Sequence, residues 1–326
     1  MHVARLADRS LIPVTEGKGA LVEFAASRVD DIRALIAEHG VLLFRGFDVL
    51  DGGGLGDVMT NLFGRSMDYL FRSTPRTAVG GKVFTATEYP RNHAIPLHSE
   101  LSYHRDWPMH LIFGCVQPAE QGGETPIADL RAVTSRLGAQ RVARFAERRV
   151  LYVRNYGHSV DLPWQTVFQT DDQSEVERYC AGYGIEWEWL GEGQLRTRHV
   201  SQGVATRAGD DHAVWFNQAH LFHVSALPEE VREALVELFG EQGLPRHAYY
   251  GDGEPIADEE IAAVNAAFDA ERIYFQWQPG DALLVDNMRF AHGRMPYEGK
   301  RRVLVAMASP FSETAVPAPD GGAVKP

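Results

Sequence analysis

His98 and Glu100 stand two residues apart in the run Ile95-Pro-Leu-His-Ser-Glu-Leu-Ser-Tyr103, and in an extended chain their side chains leave the same face. One imidazole beside one carboxylate is half of a metal site. His292 offers a second imidazole far along the chain, after an apolar strand and the turn-prone pair Asp286-Asn287, and Arg301-Arg302 begin another strand after Gly299. Two imidazoles and one carboxylate on one face of a metal leave neighbouring positions open, which is the ligand set of non-heme Fe(II) oxygenases. The His-x-Glu triplet is weak by itself, because three-residue patterns arise by chance. Joined to the His-Gly-Arg turn at His292 to Arg294 and the paired arginines, it becomes much stronger.

Other polar residues have bland readings beside functional ones. His220 and His223 could share a helical face, but after an apparent strand they read as turn or pocket-wall groups. His104 and His110 flank Trp107-Pro108 and read as lining the loop after the metal strand. Asn217 and Gln218 end a predicted strand, where polar side chains either satisfy backbone groups or face a ligand, so both are substrate-contact candidates. Asn92, ahead of the metal strand, is a weaker candidate, with a turn Asn as the default. The run Asp51 to Gly56 (DGGGLG) lacks the strand and helix context of a dinucleotide site and reads as a flexible loop. Trp187 and Trp189 alternate with acidic residues, which fits a half-buried strand.

The elements that must position these groups are mostly strands. Residues 30–46 read as an acidic-capped helix, a stop at Gly40 and a short apolar strand Val41 to Phe44. Further strands are expected at Lys82 to Thr87, Met109 to Val116, Val150 to Tyr156, Ala213 to Asn217, Ile273 to Gln276, Ala282 to Asp286 and Arg302 to Ala306. Helices are expected at Asp171 to Tyr183, Pro228 to Phe239 and Asp258 to Ala270. No internal repeat or linker-like composition interrupts the body, so residues 1–311 are expected to form one domain, with 312–326 a disordered tail rich in Pro, Gly and Ala.

The chain has 326 residues with 44% hydrophobic and 23% charged, as in ordinary globular proteins. Its formal charge of −12 works against binding to a nucleic-acid backbone or an anionic membrane and favours a small-molecule or protein-borne substrate. No run is long and apolar enough for a membrane span, and the N-terminal segment has no apolar stretch of signal-peptide length. Cys115 and Cys180 are the only cysteines, so no disulfide framework is expected and a reducing cytosol is the simplest home.

Taken in order, the motifs resemble those of the TauD/TfdA family of Fe(II)/2-oxoglutarate-dependent dioxygenases. They are His-Ser-Glu at 98–100, Gln-Gly-Gly-Glu-Thr-Pro at 121–126, Trp-Phe-Asn-Gln-Ala-His at 215–220, Asp286-Asn287, His292-Gly-Arg294 and Arg301-Arg302. The resemblance runs from Gly40 to about Pro310 and implies a mainly β fold with flanking helices around a double-stranded β-helix, the jelly-roll or cupin-like core. It implies that His98, Glu100 and His292 hold Fe(II), that 2-oxoglutarate chelates the metal, and that 2-oxoglutarate and O2 become succinate and CO2. The far carboxylate of 2-oxoglutarate needs a cation and a hydroxyl, and Arg301 and Thr125 fit those roles. Strand alternation sends Arg301 and Arg302 to opposite faces, so one of them clamps; alignment of the last strand favours Arg301, with Arg302 the alternative.

The family's commoner His-x-Asp is His-x-Glu here, as in branches resembling clavaminate synthase, the asparagine and arginine β-hydroxylases, and the SyrP-like hydroxylases of carrier-bound aspartate. The context resembles the last group most. Val305 stands where the taurine enzyme places its sulfonate-binding arginine, which points away from sulfonate substrates. A carboxylate at position 100 favours hydroxylation over the chlorination of related halogenases. The expected enzyme hydroxylates an unactivated C–H of an amino acid or amino-acid-like substrate, free or tethered to a carrier protein, in secondary metabolism; its oligomeric state stays open. A zinc-dependent hydrolase using the same His/Glu/His set is the alternative, and a non-catalytic small-molecule-binding barrel the third reading. The net negative charge does not favour an acidic carrier, but a local basic patch such as Arg141 to Arg149 could override that.

Overall fold

The computed structural model describes residues 4–312, apart from 6–11, 50–51, 66, 68–70, 72–76, 81, 87–88, 158–159, 192 and 208. The expected tail lies outside the described residues from 313 onward; Ser312 itself ends the last strand, its Oγ donating to Asp106 Oδ1 at 2.6 Å.

An eight-stranded sheet forms the base, with Val41–Arg45, Ala282–Asp286, Asp106–Gln117 and Arg302–Ser312 as consecutive central neighbours. These four strands pair antiparallel. Their apolar runs (VLLF, LIFGCV, ALLV, VLVAM) look continuous because both faces are buried, and the period of two reappears in what each residue touches. Leu43, Leu111, Phe113, Leu283, Val285 and Val305 face the core that contains the metal strand. Leu42, Phe44, Ile112, Ala282, Leu284 and Leu304 face the other way, onto the helices Leu21–Ala26, Val29–His39 and Gly52–Phe63. Over the first face lies a three-stranded antiparallel sheet, Ile95–His98, Phe290–Arg294 and Ile127–Asp129, which completes the jelly roll.

A four-stranded sheet, Glu186–Gly191, Gln194–Ser201, Val150–Tyr156 and Arg246–Tyr250, closes the far side of that core. Helices Gln173–Tyr183, Glu229–Phe239 and Asp258–Ala270 occupy the segments that the sequence assigns to them. Trp187 and Trp189 leave the same face of the strand Glu186–Gly191, where Trp187 is exposed and Trp189 partly buried against the core. Gly40 ends the helix Val29–His39 in the left-handed region at φ 73°, its N–H bonded to Ile36 O.

Three local expectations differ. The run expected as a loop from Asp51 to Gly56 instead opens the helix Gly52–Phe63: the glycines obscure a stripe of Leu55, Val58, Met59 and Leu62 that packs under the sheet, and tertiary burial outweighs weak propensity. Asp51 lies outside the described residues. Ile273 to Gln276 is not a strand, because Ile273 forms a single bridge to Ile127 and pairs no further. Ala213 to Asn217 pairs only at Val214–Trp215. Among the described residues no helix is long and apolar enough to cross a membrane. Cys115 and Cys180 are free and buried, and burial pushes both thiols up to about 12.

Candidate metal centre

His98 and His292 are direct partners across the antiparallel pair Ile95–His98 and Phe290–Arg294, which puts their rings on one face with centroids 4.7 Å apart. The strands approach so closely beside this pair that a Cβ on Gly293 would lie 2.6 Å from Ile95 O, so only glycine fits between His292 and Arg294. Glu100 Oε2 lies 3.8 Å from His292 Nε2. One ligand atom from each of His98, Glu100 and His292 falls within 4.8 Å of the others, and this is the one such group of three among the described residues.

The chemistry of the donors suits a divalent cation. His98 Nδ1 lies 2.8 Å from Pro96 O, a carbonyl that only accepts, so Nδ1 carries the proton and Nε2 is left as the ligand atom. Phe113, on the large sheet, packs against the His292 ring at 4.9 Å and shields it from water.

Strand alternation is not what places Glu100. The strand ends at His98, and Glu100 sits in the turn that follows. Side chains from distant elements fix that turn: His220 Nε2 lies 2.9 Å from Leu97 O, Gln218 Nε2 donates to Ser99 O at 2.8 Å, and Asn287 contacts both the N–H and the C=O of Glu100.

A cavity opens beside the two histidines, lined also by Thr125, Arg294, Arg301 and Phe113. Arg301 donates from Nε to Gly123 O at 2.9 Å and reaches Thr125 Oγ1 from Nη2 at 3.4 Å. Burial, aided by the charge of Arg294, pushes the Arg301 guanidinium down to about 10, so it remains charged at neutral pH. Among the described residues two guanidiniums and no carboxylate line this cavity, an arrangement that a dianionic ligand would neutralise. Arg302 is exposed and does not line it; a bulge between Arg302 and Val303 separates the two arginines from the regular register. Arg294 also ties down the approach to the metal strand, donating to Tyr89 O, Pro90 O and His93 O.

The remaining candidates lie elsewhere or are engaged. Asn92 is exposed in the turn before the metal strand. Asn217 donates to Gly203 O at 2.6 Å and accepts from Ala219 N, and the Gln218 side chain donates to Ser99 O while its backbone N–H donates to the Tyr152 hydroxyl at 2.8 Å. Both side chains therefore hold backbone, the satisfying role that the sequence left open. His220 lies in the helix Ala219–Phe222, and His223 accepts from Ser225 N to cap the next turn; neither joins the metal group. His104 accepts from Asp106 N, and His110 stacks on Phe63 at 3.8 Å. The sequence gives no signal for Trp277, whose indole donates to Thr125 Oγ1 at 3.0 Å, and shows Asn287 only as half of a motif without a role.

Comparison with known proteins agrees with this geometry. Residues 13–307 match the family model described as taurine catabolism dioxygenase TauD, TfdA family. The dapdiamide synthesis protein DdaC of Enterobacter agglomerans is 38% identical over 307 residues, covering 94% of this chain and 92% of that one. Among solved structures, PvcB of Pseudomonas aeruginosa superposes with a TM-score of 0.54 at 17% identity, over 94% of this chain and 90% of that one. An asparagine oxygenase, solved with Fe(II), 2S,3S-3-hydroxyasparagine and succinate, superposes with a TM-score of 0.53 at 13% identity, over 88% and 82% of the two chains. The structural likenesses establish the jelly-roll fold, and the sequence match establishes more: the chain belongs to the TauD/TfdA family and is a 2-oxoglutarate-dependent dioxygenase whose metal is Fe(II) and whose second co-substrate is O2.

Proposed function

We propose that this dioxygenase hydroxylates an unactivated C–H of an amino acid or amino-acid-like substrate in secondary metabolism, with His98, Glu100 and His292 as its metal ligands and Arg301 and Thr125 as its 2-oxoglutarate clamp. The observation that carries the reading is the convergence of two imidazoles and one carboxylate within 4.8 Å, next to a cavity lined by Arg301 and Thr125. Fe(II) held there supplies the activation of O2 that, with loss of CO2 from 2-oxoglutarate, delivers one oxygen atom to the substrate carbon and leaves succinate.

The protein's own groups bind, orient and exclude water. The Arg301 guanidinium and the Thr125 hydroxyl are spaced to take one carboxylate between them. Trp277 occupies a lone pair of Thr125 Oγ1 and so turns the hydroxyl proton outward as a donor. Phe113, Ile95 and Val303 give the cavity apolar walls. A carboxylate at position 100 supports hydroxylation rather than halogen transfer.

Support for the substrate class comes from what the relatives are said to do. DdaC is named for dapdiamide synthesis, and the asparagine oxygenase was solved with a hydroxylated amino acid. The run Arg141 to Arg149 gives little welcome to an acidic carrier: Arg141 and Arg144 pair with Glu260, and Arg148 pairs with Asp252. A free substrate is therefore the form we favour. Two free, buried cysteines fit a reducing cytosol. The zinc-hydrolase alternative gains no support, since it has no use for the Arg301 and Thr125 pair and the family match is to dioxygenases.

The test is purified protein with Fe(II), 2-oxoglutarate and a panel of free and carrier-bound amino acids, reading succinate and product mass. Substrate-dependent succinate with a product heavier by one oxygen atom supports the proposal. Succinate release that no amino acid in either form stimulates overturns the substrate class.

A further inference from the structure

Glu100 reaches the two imidazoles from a turn that its own sequence resists. Leu101, the next residue, holds φ at 56°, a left-handed conformation disfavoured for any residue with a Cβ, and it is buried at 2% exposure. Such a residue persists only where its surroundings over-determine it. The local turn bonds, His104 N to Leu101 O at 2.8 Å and Ser102 N to Ser99 O at 3.3 Å, leave both backbone polar groups of Glu100 to be satisfied from outside.

Asn287 satisfies both. Its Oδ1 accepts from Glu100 N at 2.8 Å, and its Nδ2 donates to Glu100 O at 2.9 Å and to Pro108 O at 2.8 Å. Its own backbone N–H donates to Met109 O at 2.9 Å. The residue is 0% exposed and opens the turn between Ala282–Asp286 and Phe290–Arg294, the strand that carries His292. One amide, 187 residues from Glu100, therefore joins the carboxylate arm of the centre to the strand of the second imidazole. The bonds use one acceptor and two donors, a set that asparagine offers in this shape and aspartate or serine does not.

We propose that Asn287 is a positioning residue for the metal centre: by gripping the backbone of Glu100 on both sides, it holds the Glu100-Leu101 turn in its left-handed form and sets the carboxylate against His98 and His292. The proposal rests on the metal-ligand reading above. Loss of this grip lets the turn relax and swings the carboxylate away, so metal affinity falls before the fold does.

The experiment is calorimetric titration of metal-free protein with Mn(II), alongside thermal unfolding of the same samples. Asn155 provides a matched control, since it too is buried with Nδ2 donating to two carbonyls, Gln242 O and Leu244 O, and Oδ1 accepting from Arg196, but on a strand of the other sheet. The expected result is a loss of about 10- to 100-fold in Mn(II) affinity for Asn287→Ala, the range usual for groups that orient metal ligands. Asn155→Ala should lose stability and keep wild-type affinity. If Asn287→Ala does not fold, Asn287→Asp, which keeps the shape and the acceptor but loses both donors, should show the affinity loss. Wild-type affinity in the folded Asn287 variant, or an equal loss in Asn155→Ala, overturns the proposal. A wild-type protein that binds no Mn(II), or a His292→Ala variant that binds it undiminished, overturns instead the assignment of the metal ligands.

Discussion

The Trp277 indole donates to the Thr125 hydroxyl at 3.0 Å, in the wall of the cavity that His98 and His292 also line. Neither residue is near the other in sequence, and the contact decides which way the hydroxyl proton points. Trp277→Phe keeps an aromatic ring and removes the donor. A neutral hydrogen bond of about 0.5–1.5 kcal/mol corresponds to a rise of roughly 2- to 12-fold in KM for 2-oxoglutarate. Steady-state titration of the co-substrate measures it, and an unchanged KM would show that the hydroxyl needs no orientation.

The paired arginines should separate cleanly. Arg301→Ala removes a charged, buried donor, worth about 1.5–3 kcal/mol toward a carboxylate, so KM for 2-oxoglutarate should rise roughly 10- to 150-fold. Arg302 is exposed, and Arg302→Ala should change KM by less than about twofold. The reverse ranking in parallel titrations would move the clamp to Arg302.

Gly293→Ala should prise the metal strands apart, because the added methyl meets Ile95 O at 2.6 Å. Overpacking of this kind costs about 1–3 kcal/mol, read as a lower urea midpoint at constant m. A variant as stable as wild type would mean that the strand pair gives way freely at this point.

Acid should weaken the fold well before the carboxylates titrate. Burial pushes His220 down to about 4 and His199 down to about 3 from 6.5. Both rings stay neutral in the folded protein while the unfolded chain takes up protons below 6.5, so the stability held above that pH is lost progressively as pH falls toward the folded values. Each ring contributes a slope of up to about 1.4 kcal/mol per pH unit across that window. Urea unfolding of the metal-free protein at about pH 7 and about pH 5 measures the slope, and equal midpoints would place these rings in contact with water.

Residue type and spacing pointed to both imidazoles and the carboxylate that the fold brings together, because few residue types can hold a metal, and the family resemblance added Arg301 and Thr125. The apolar runs likewise revealed the central strands, since a sheet buried on both faces leaves no polar interruptions. The helix Gly52–Phe63 escaped notice because its glycines speak for a loop, and only the sheet it covers gives its stripe of Leu55, Val58 and Leu62 a reason to form. Trp277, and the roles of Asn217 and Gln218, were hidden for a related reason: a tryptophan, an asparagine or a glutamine carries no fixed function until a partner is brought to it. The amino-acid order determined which donor groups this protein owns. Tertiary structure decided how they are aimed, because the turn at Glu100 takes its shape from hydrogen bonds to side chains that only folding brings within reach.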